Sequence, residues 1–200
     1  MYKAVPIIID EMNIVHQYKK LNLHHISWTS FYSALRHMIN VPTITPYFAC
    51  ANSSEPCDHR DGRSRFFEAL RLRGVTILEG FMGKDSNLRN LEKGVDVLVA
   101  LQIYKEALNG AEDIIVCSGD SDLVPAILEA QALGVRVHVV VSEFFPAYEI
   151  TQIADRVISL ESVLKSVIEK GNVKFKEPTK PFMFSTSSSY MKERAGLVSA

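Results

Sequence analysis

The sequence predicts an α/β fold: a parallel sheet between two layers of helices, with strand order 3-2-1-4-5. Short apolar, β-branched runs alternate along the chain with longer amphipathic stretches, the sign of right-handed strand–helix–strand crossovers. The runs are continuous rather than alternating, as in residues 4–9 and 113–117, which marks strands buried on both faces. Two of the runs lead into aspartates, Asp10 directly and Asp120 after Ser118 and Gly119, where a ligand site of such a sheet would open.

Each element has a local reason. Residues 4–9 are the first strand, and the polar stretch 16–25 reads as a loop. Ser27 can cap a helix running to about residue 40, with Phe31, Leu35 and Met38 on one face. Residues 43–51 read as the second strand and 52–62 as a polar loop. A helix over 64–73 turns Phe67, Leu70 and Phe66 inward and stops at Gly74. Residues 75–78 are the third strand and 81–90 a loop. A long helix over 91–109 buries Val95, Leu98, Val99, Ile103 and Ala107 and ends at Gly110. Residues 113–117 are the fourth strand. A helix over 122–133 follows, with Pro125 tolerated in its first turn, then a fifth strand over 135–141. A short helix near 146–154, a small strand at 157–160 and a helix over 161–170 close a single domain, residues 1–170. Lysine, proline and serine dominate after Gly171, so residues 171–200 are expected to form a flexible tail.

Composition narrows the function classes. The chain has 200 residues, 47% apolar and 22% charged, enough to build a core without disulfides. Its formal net charge of −1 excludes a general attraction to nucleic acid or membrane, so any such contact needs a local patch. Three cysteines, Cys50, Cys57 and Cys117, make an odd set with one inside a strand, which points to free thiols and a cytoplasmic location. The apolar run at the N-terminus is too short and too soon charged for a signal peptide or membrane span. Cys50, Cys57 and His59 match no compact zinc spacing and lack a fourth ligand. His16, His24 and His25 read as loop histidines, and Trp28 as a core or interface aromatic.

The informative residues are four aspartates: Asp10, Asp96, Asp120 and Asp122. In strand order 3-2-1-4-5 the strands that precede Asp10 and Asp120 are neighbours. Asp122 lies at the start of the next helix, and Asp96 in the first turns of the long helix. Gathered in one cleft, such carboxylates repel each other and need a cation. Oxygen ligands of this kind suit Mg²⁺ or Mn²⁺. Each acid alone could instead be a cap or turn former. Asn13 is placed to hydrogen-bond a carboxylate or phosphate.

The motifs Ile-Asp10-x-x-Asn13, Glu-Lys-Gly-Val-Asp96-Val and Ser-Gly-Asp120-Ser-Asp122-Leu-Val-Pro together resemble the NYN domain. They are most similar to its LabA-like branch, within the PIN-like nuclease superfamily. The resemblance spans roughly residues 4–160. It implies a PIN-like Rossmannoid fold and a metal-dependent ribonuclease that hydrolyses RNA phosphodiester bonds. Carried over by position, Asp10, Asp96, Asp120 and Asp122 would be the catalytic, Mg²⁺- or Mn²⁺-binding acids, with Asn13 and Ser118 as supporting polar groups. Metal-bound water would attack phosphorus in line, leaving a 5′-phosphate and a 3′-hydroxyl. The sequence departs from the pattern where Glu11 and Met12 replace small residues and where Gln102 stands for a further aspartate. The expected partner is RNA, single-stranded or structured, with a second copy of the chain as a further candidate and no membrane.

Arg60, Arg63, Arg65, Arg71 and Arg73 lie in a stretch with only Asp61 and Glu68 as acids, so Arg63 and Arg65 are candidate phosphate contacts, as is Lys93. A solvated helix face explains the arginines equally well. Two other classes compete with a nuclease. One is an inactive module that keeps the fold and binds RNA or protein. The other is a phosphatase of the haloacid dehalogenase type, disfavoured because Met12 stands where that family places a second aspartate.

Overall fold

Continuous apolar runs become the central strands of the protein, seen here in a computed structural model that describes residues 3–52, 62–84, 88, 90–145 and 147–168. The elements are β1 (Val5–Asp10), α1 (Glu11–Lys20), α2 (Trp28–Met38), β2 (Ile44–Asn52), α3 (Gly62–Arg71), β3 (Thr76–Lys84) and β4 (Asn90–Lys93). They continue through α4 (Val95–Leu108), β5 (Asp113–Cys117), α5 (Val124–Ala132), β6 (Arg136–Val141), α6 (Tyr148–Ile153), β7 (Arg156–Ser159) and α7 (Leu160–Val167). One sheet runs β4-β3-β2-β1-β5-β6-β7. All neighbouring pairs are parallel except β3–β4. The expected order of five strands is thus its centre, extended by one strand at each edge.

Side-chain alternation along β1 divides the core. Ile7 and Ile9 face α1, α2, α3 and α7, with Phe31, Leu35, Phe48, Phe67, Ile115 and Leu164. Ile8 faces α4, α5 and α6, with Val99, Ile103, Val116, Ile127 and Ile150. Helices therefore cover both faces, as a parallel sheet requires. Among the described residues no helix is long and apolar enough to cross a membrane. Cys50 and Cys117 are buried free thiols. Burial raises the Cys50 thiol to about 12 and pushes Cys117 up as well, which favours the protonated thiol over the reactive thiolate at both.

Several boundaries differ from the sequence expectation. Part of the expected loop over 16–25 is helix: α1 starts directly after Asp10 and buries Ile14, Val15 and Tyr18. That i, i+1, i+4 stripe lay among polar residues and was outvoted by them. His16, His24 and His25 are exposed, and Trp28 is core. The helix expected from residue 91 begins at Val95, because Asn90–Lys93 pairs antiparallel with β3, which runs on to Lys84. Residues 121–123 form a 3-10 turn before α5. Cys57, His59, Arg60, Pro146 and the tail over 171–200 lie outside the described residues.

Two glycines hold the β4–α4 corner. Gly94 precedes α4 with φ +77°, the left-handed region that other residues enter only with strain. Gly80 lies under the corner: a Cβ there would stand 2.7 Å from the Lys93 carbonyl oxygen and 2.9 Å from Val95 Cγ2. Gly80→Ala is expected to push the corner away and destabilise the protein by about 1–3 kcal/mol. Chemical denaturation checks this, and unchanged stability would show that β4 is free to shift.

Candidate functional site

The carboxyl ends of β1 and β5 lie side by side, with Ile9 paired to Cys117. Asp10 ends β1 and caps α1, its Oδ1 accepting the Asn13 N–H at 3.1 Å. Its Oδ2 accepts the hydroxyl of fully buried Ser118 at 3.2 Å. The same hydroxyl oxygen accepts the Asp120 N–H at 3.2 Å. Asp120 Oδ1 then accepts the Asp122 N–H at 3.0 Å and caps the 3-10 turn. Asn13 Oδ1 closes the loop by accepting the Gly119 N–H at 2.8 Å. Asp10, Asn13, Ser118 and Asp120 thus form one bonded group across two strands.

Electrostatics joins Asp96 to them. The Asp10 carboxyl is held above its ordinary value, chiefly by burial, with the negative charges of Asp120 and Asp96 adding to it. The Asn13 N–H and the Ser118 hydroxyl oppose that rise. Asp96 is exposed in the first turn of α4, and Asp122 is exposed within the 3-10 turn.

Sequence reasoning missed two further acids. Glu11 is buried beside Asp10 and receives the Arg63 guanidinium as a two-pronged ion pair, Nη1 to Oε1 at 2.7 Å and Nη2 to Oε2. Arg63 also donates to the Ala51 carbonyl at 3.3 Å and lies 4.6 Å over the Phe67 ring. Glu92 accepts the Ala51 N–H, and its carboxyl is raised by burial and then by the charges of Glu11 and Asp10. The acids therefore extend from Asp120 through Asp10 and Glu11 to Glu92, with Arg63 as counter-charge. Glu11 was visible next to Asp10. Glu92 becomes visible only when residues 90–93 are read as an edge strand rather than as helix.

A supporting chain lies behind Asn13. Gln17 Nε2 donates to Asn13 Oδ1 at 2.7 Å, and Gln17 Oε1 accepts the Ser142 N–H at 2.7 Å. The Ser142 hydroxyl donates to buried Glu161, which also accepts the Glu143 N–H at 3.0 Å. These partners lie up to 125 residues apart, and no local pattern announces them. Of the expected phosphate contacts, Arg63 is committed to Glu11, Arg65 is exposed on α3, and Lys93 is exposed on β4 with its stem against Gly83.

Among the described residues, no three His, Cys, Asp or Glu side chains stand close enough to hold one ion by themselves. The donor chemistry still fits a hard divalent cation. Mg²⁺ commonly takes one or two carboxylates and completes its shell with waters and substrate phosphate. Asp10 at the end of β1 and Asp120 just after the end of neighbouring β5 offer two such carboxylates.

A family model described as the NYN domain matches residues 4–161. The structure is similar to a crystal structure of a protein of unknown function from Vibrio parahaemolyticus, with a TM-score of 0.60 at 16% identity over 80% of this chain and 96% of that one. At that identity the likeness shows the fold alone. No curated protein matches the chain.

Proposed function

The chain belongs to the NYN domain family, and from that premise we propose that it is a metal-dependent ribonuclease of the LabA-like branch, cleaving RNA phosphodiester bonds at the carboxyl edge of its sheet. The observation that carries this is the Ser118 hydroxyl that links the Asp10 carboxylate to the Asp120 backbone where neighbouring strands end, with the Asp120 and Asp96 charges both felt at Asp10. Repulsion among these acids is what a bound cation relieves.

Asp10 and Asp120 would hold Mg²⁺ or Mn²⁺, with Asp96 and Asp122 flanking it. The ion supplies charge neutralisation at the phosphate and an acidified water. The chain's own part is orientation. Asn13 and Ser118 fix both oxygens of Asp10, so its carboxylate cannot rotate away from the cleft. Ser118 ties Asp120 to the same point through its backbone. Arg63 neutralises Glu11, which keeps that acid from adding to the repulsion at Asp10. Lys93 and Arg65 are left to meet backbone phosphates on either side.

A second reading is an RNA-binding module without cleavage. It is favoured by the absence, among the described residues, of a ready three-ligand group and by the Arg63–Glu11 pair within the acidic edge. Labelled single-stranded and hairpin RNAs incubated with Mn²⁺, Mg²⁺ or a chelator separate the two. The nuclease reading expects cleavage with either ion and none with chelator. Binding without cleavage under every ion would replace it with the second reading.

A further inference from the structure

We propose that Gln17 is a positioning residue of the acid cleft: it locks the Asn13 side-chain amide with its oxygen inward and its NH₂ outward, as a donor to a phosphate oxygen of RNA. On the ribonuclease reading, on which this rests, the site thereby gains a group that binds substrate rather than metal.

The orientation of an amide follows from partners whose own roles are fixed. Two backbone N–H groups, which can only donate, fix both amides here. The Ser142 N–H lies 2.7 Å from Gln17 Oε1, so the other arm of that amide is the donor Nε2. Gln17 Nε2 stands 2.7 Å from Asn13 Oδ1, which must therefore accept. The Gly119 N–H, 2.8 Å from the same oxygen, requires the same orientation independently. Asn13 Oδ1 thus takes two hydrogen bonds, and Asn13 Nδ2 makes none with the described residues. The buried side-chain atoms without a partner, among the described residues, are Gln131 Oε1 and His138 Nδ1, so Asn13 Nδ2 is open to solvent.

The lock is anchored from behind. Gln17 is 8% exposed, and a Cβ at Gly119 would stand 3.5 Å from its Nε2, so it fills the space beside that turn. Ser142 lies just beyond β6 and is held by Glu161, which accepts its hydroxyl, the Glu143 N–H at 3.0 Å and the Ser159 hydroxyl at 3.2 Å. Ser142 and Glu161 are themselves buried. At the other end Asn13 sits beside the acids: its backbone N–H bonds Asp10, and Gly119 directly precedes Asp120. A phosphate drawn to an ion on Asp10 and Asp120 has further oxygens that need donors, and ionised carboxylates offer none. A neutral, preoriented NH₂ supplies one without competing with the ion for the acids.

Gln17→Glu tests the lock because it keeps the shape and reverses the hydrogen bond to Asn13. One carboxylate oxygen still accepts the Ser142 N–H, and the other requires a donor. The charged acceptor is the stronger partner, so the Asn13 amide should turn Nδ2 towards it and present Oδ1 to the phosphate. Amide exchange at Gly119 should then rise at least about tenfold, since its N–H loses its acceptor. kcat/KM for labelled RNA under Mn²⁺ should fall at least about tenfold, while Mn²⁺ affinity does not fall. In an Asn13→Ala background, Gln17→Glu should cost less than about twofold more, because Gln17 acts only through Asn13. Gln17→Met adds no buried charge and runs the same cycle where thermal unfolding shows that Gln17→Glu does not fold. It should lower kcat/KM less, and likewise only when Asn13 is present. Unchanged Gly119 exchange in Gln17→Glu, or losses that multiply with that of Asn13→Ala, overturns the proposal and makes Gln17 a packing residue. A wild type that binds RNA without cutting it overturns the ribonuclease reading alone, and the same cycle is then read in Kd. A wild type that neither cuts nor binds RNA overturns both.

Discussion

Asp120→Asn should lose RNA cleavage by at least about a hundredfold under Mn²⁺, because a site carboxylate that holds an ion underlies several kcal/mol of charge stabilisation and each 1.36 kcal/mol is tenfold in rate. The substitution keeps the shape of the side chain. Asn retains an Oδ1 that can accept the Asp122 N–H, so the 3-10 turn should survive. Its effect on stability runs the other way. Asp10 has a folded pKa raised above its ordinary 3.8, and the Asp120 charge contributes to that rise. An acid with a raised pKa is more easily ionised in the unfolded chain, so ionisation costs folded stability above the folded pKa. That cost disappears as pH falls below the unfolded value. In chelator at pH 7, Asp120→Asn should therefore unfold at the same temperature as the wild type or slightly higher, and the gain should fade as pH falls through the carboxylate range. Wild-type cleavage by this variant would remove Asp120 from the site. A large loss of stability would mean that its charge is structural.

The largest effect on stability is expected at Phe48. It is fully buried in β2 and joins the helices on one face of the sheet, its ring 4.9 Å from Trp28 and 5.8 Å from Phe66, both edge-on. Trp28 in turn meets Phe31 at 5.7 Å. Phe48→Ala removes the middle of this aromatic run and leaves a cavity costing about 3–5 kcal/mol, which lowers the melting temperature by roughly 10 °C in a domain of this size. Phe48→Leu fills most of the space and should cost less than about 1.5 kcal/mol. Thermal unfolding of the two variants distinguishes packing from position. Equal losses would mean that the edge-on ring contacts, rather than volume, hold the layer.

Much of the architecture was legible because its signals are local. The runs that became β1, β5 and β6 are continuous and β-branched. Ser27 caps α2 as its residue type suggests, its hydroxyl accepting the Ser30 N–H. Asp10 and Asp120 could be placed on neighbouring strands because an alternating strand–helix chain leaves few topologies. What escaped depends on distant partners. Four residues, Asn90–Lys93, form a strand only because β3 offers them an edge. Without that partner their polarity and the apolar run after Val95 read as one helix. The same error hid Glu92. Arg63 looked like a surface cation because its neighbours in sequence are polar, whereas Glu11, 52 residues earlier, neutralises it. The buried face of α4 followed its periodicity: Val95, Val99, Ile103 and Ala107 are buried, Leu98 is only partly so, and Leu101 and Leu108 face outward.

The proposed chemistry requires Asp10 and Asp120 to share one divalent ion. Calorimetric titration of Mn²⁺ into the full chain and into Asp120→Asn tests it most directly, since it needs neither an RNA nor a rate. The wild type should bind one or two ions, and the variant should bind at least about tenfold more weakly. Equal Mn²⁺ binding by both proteins, or none by the wild type, would contradict it.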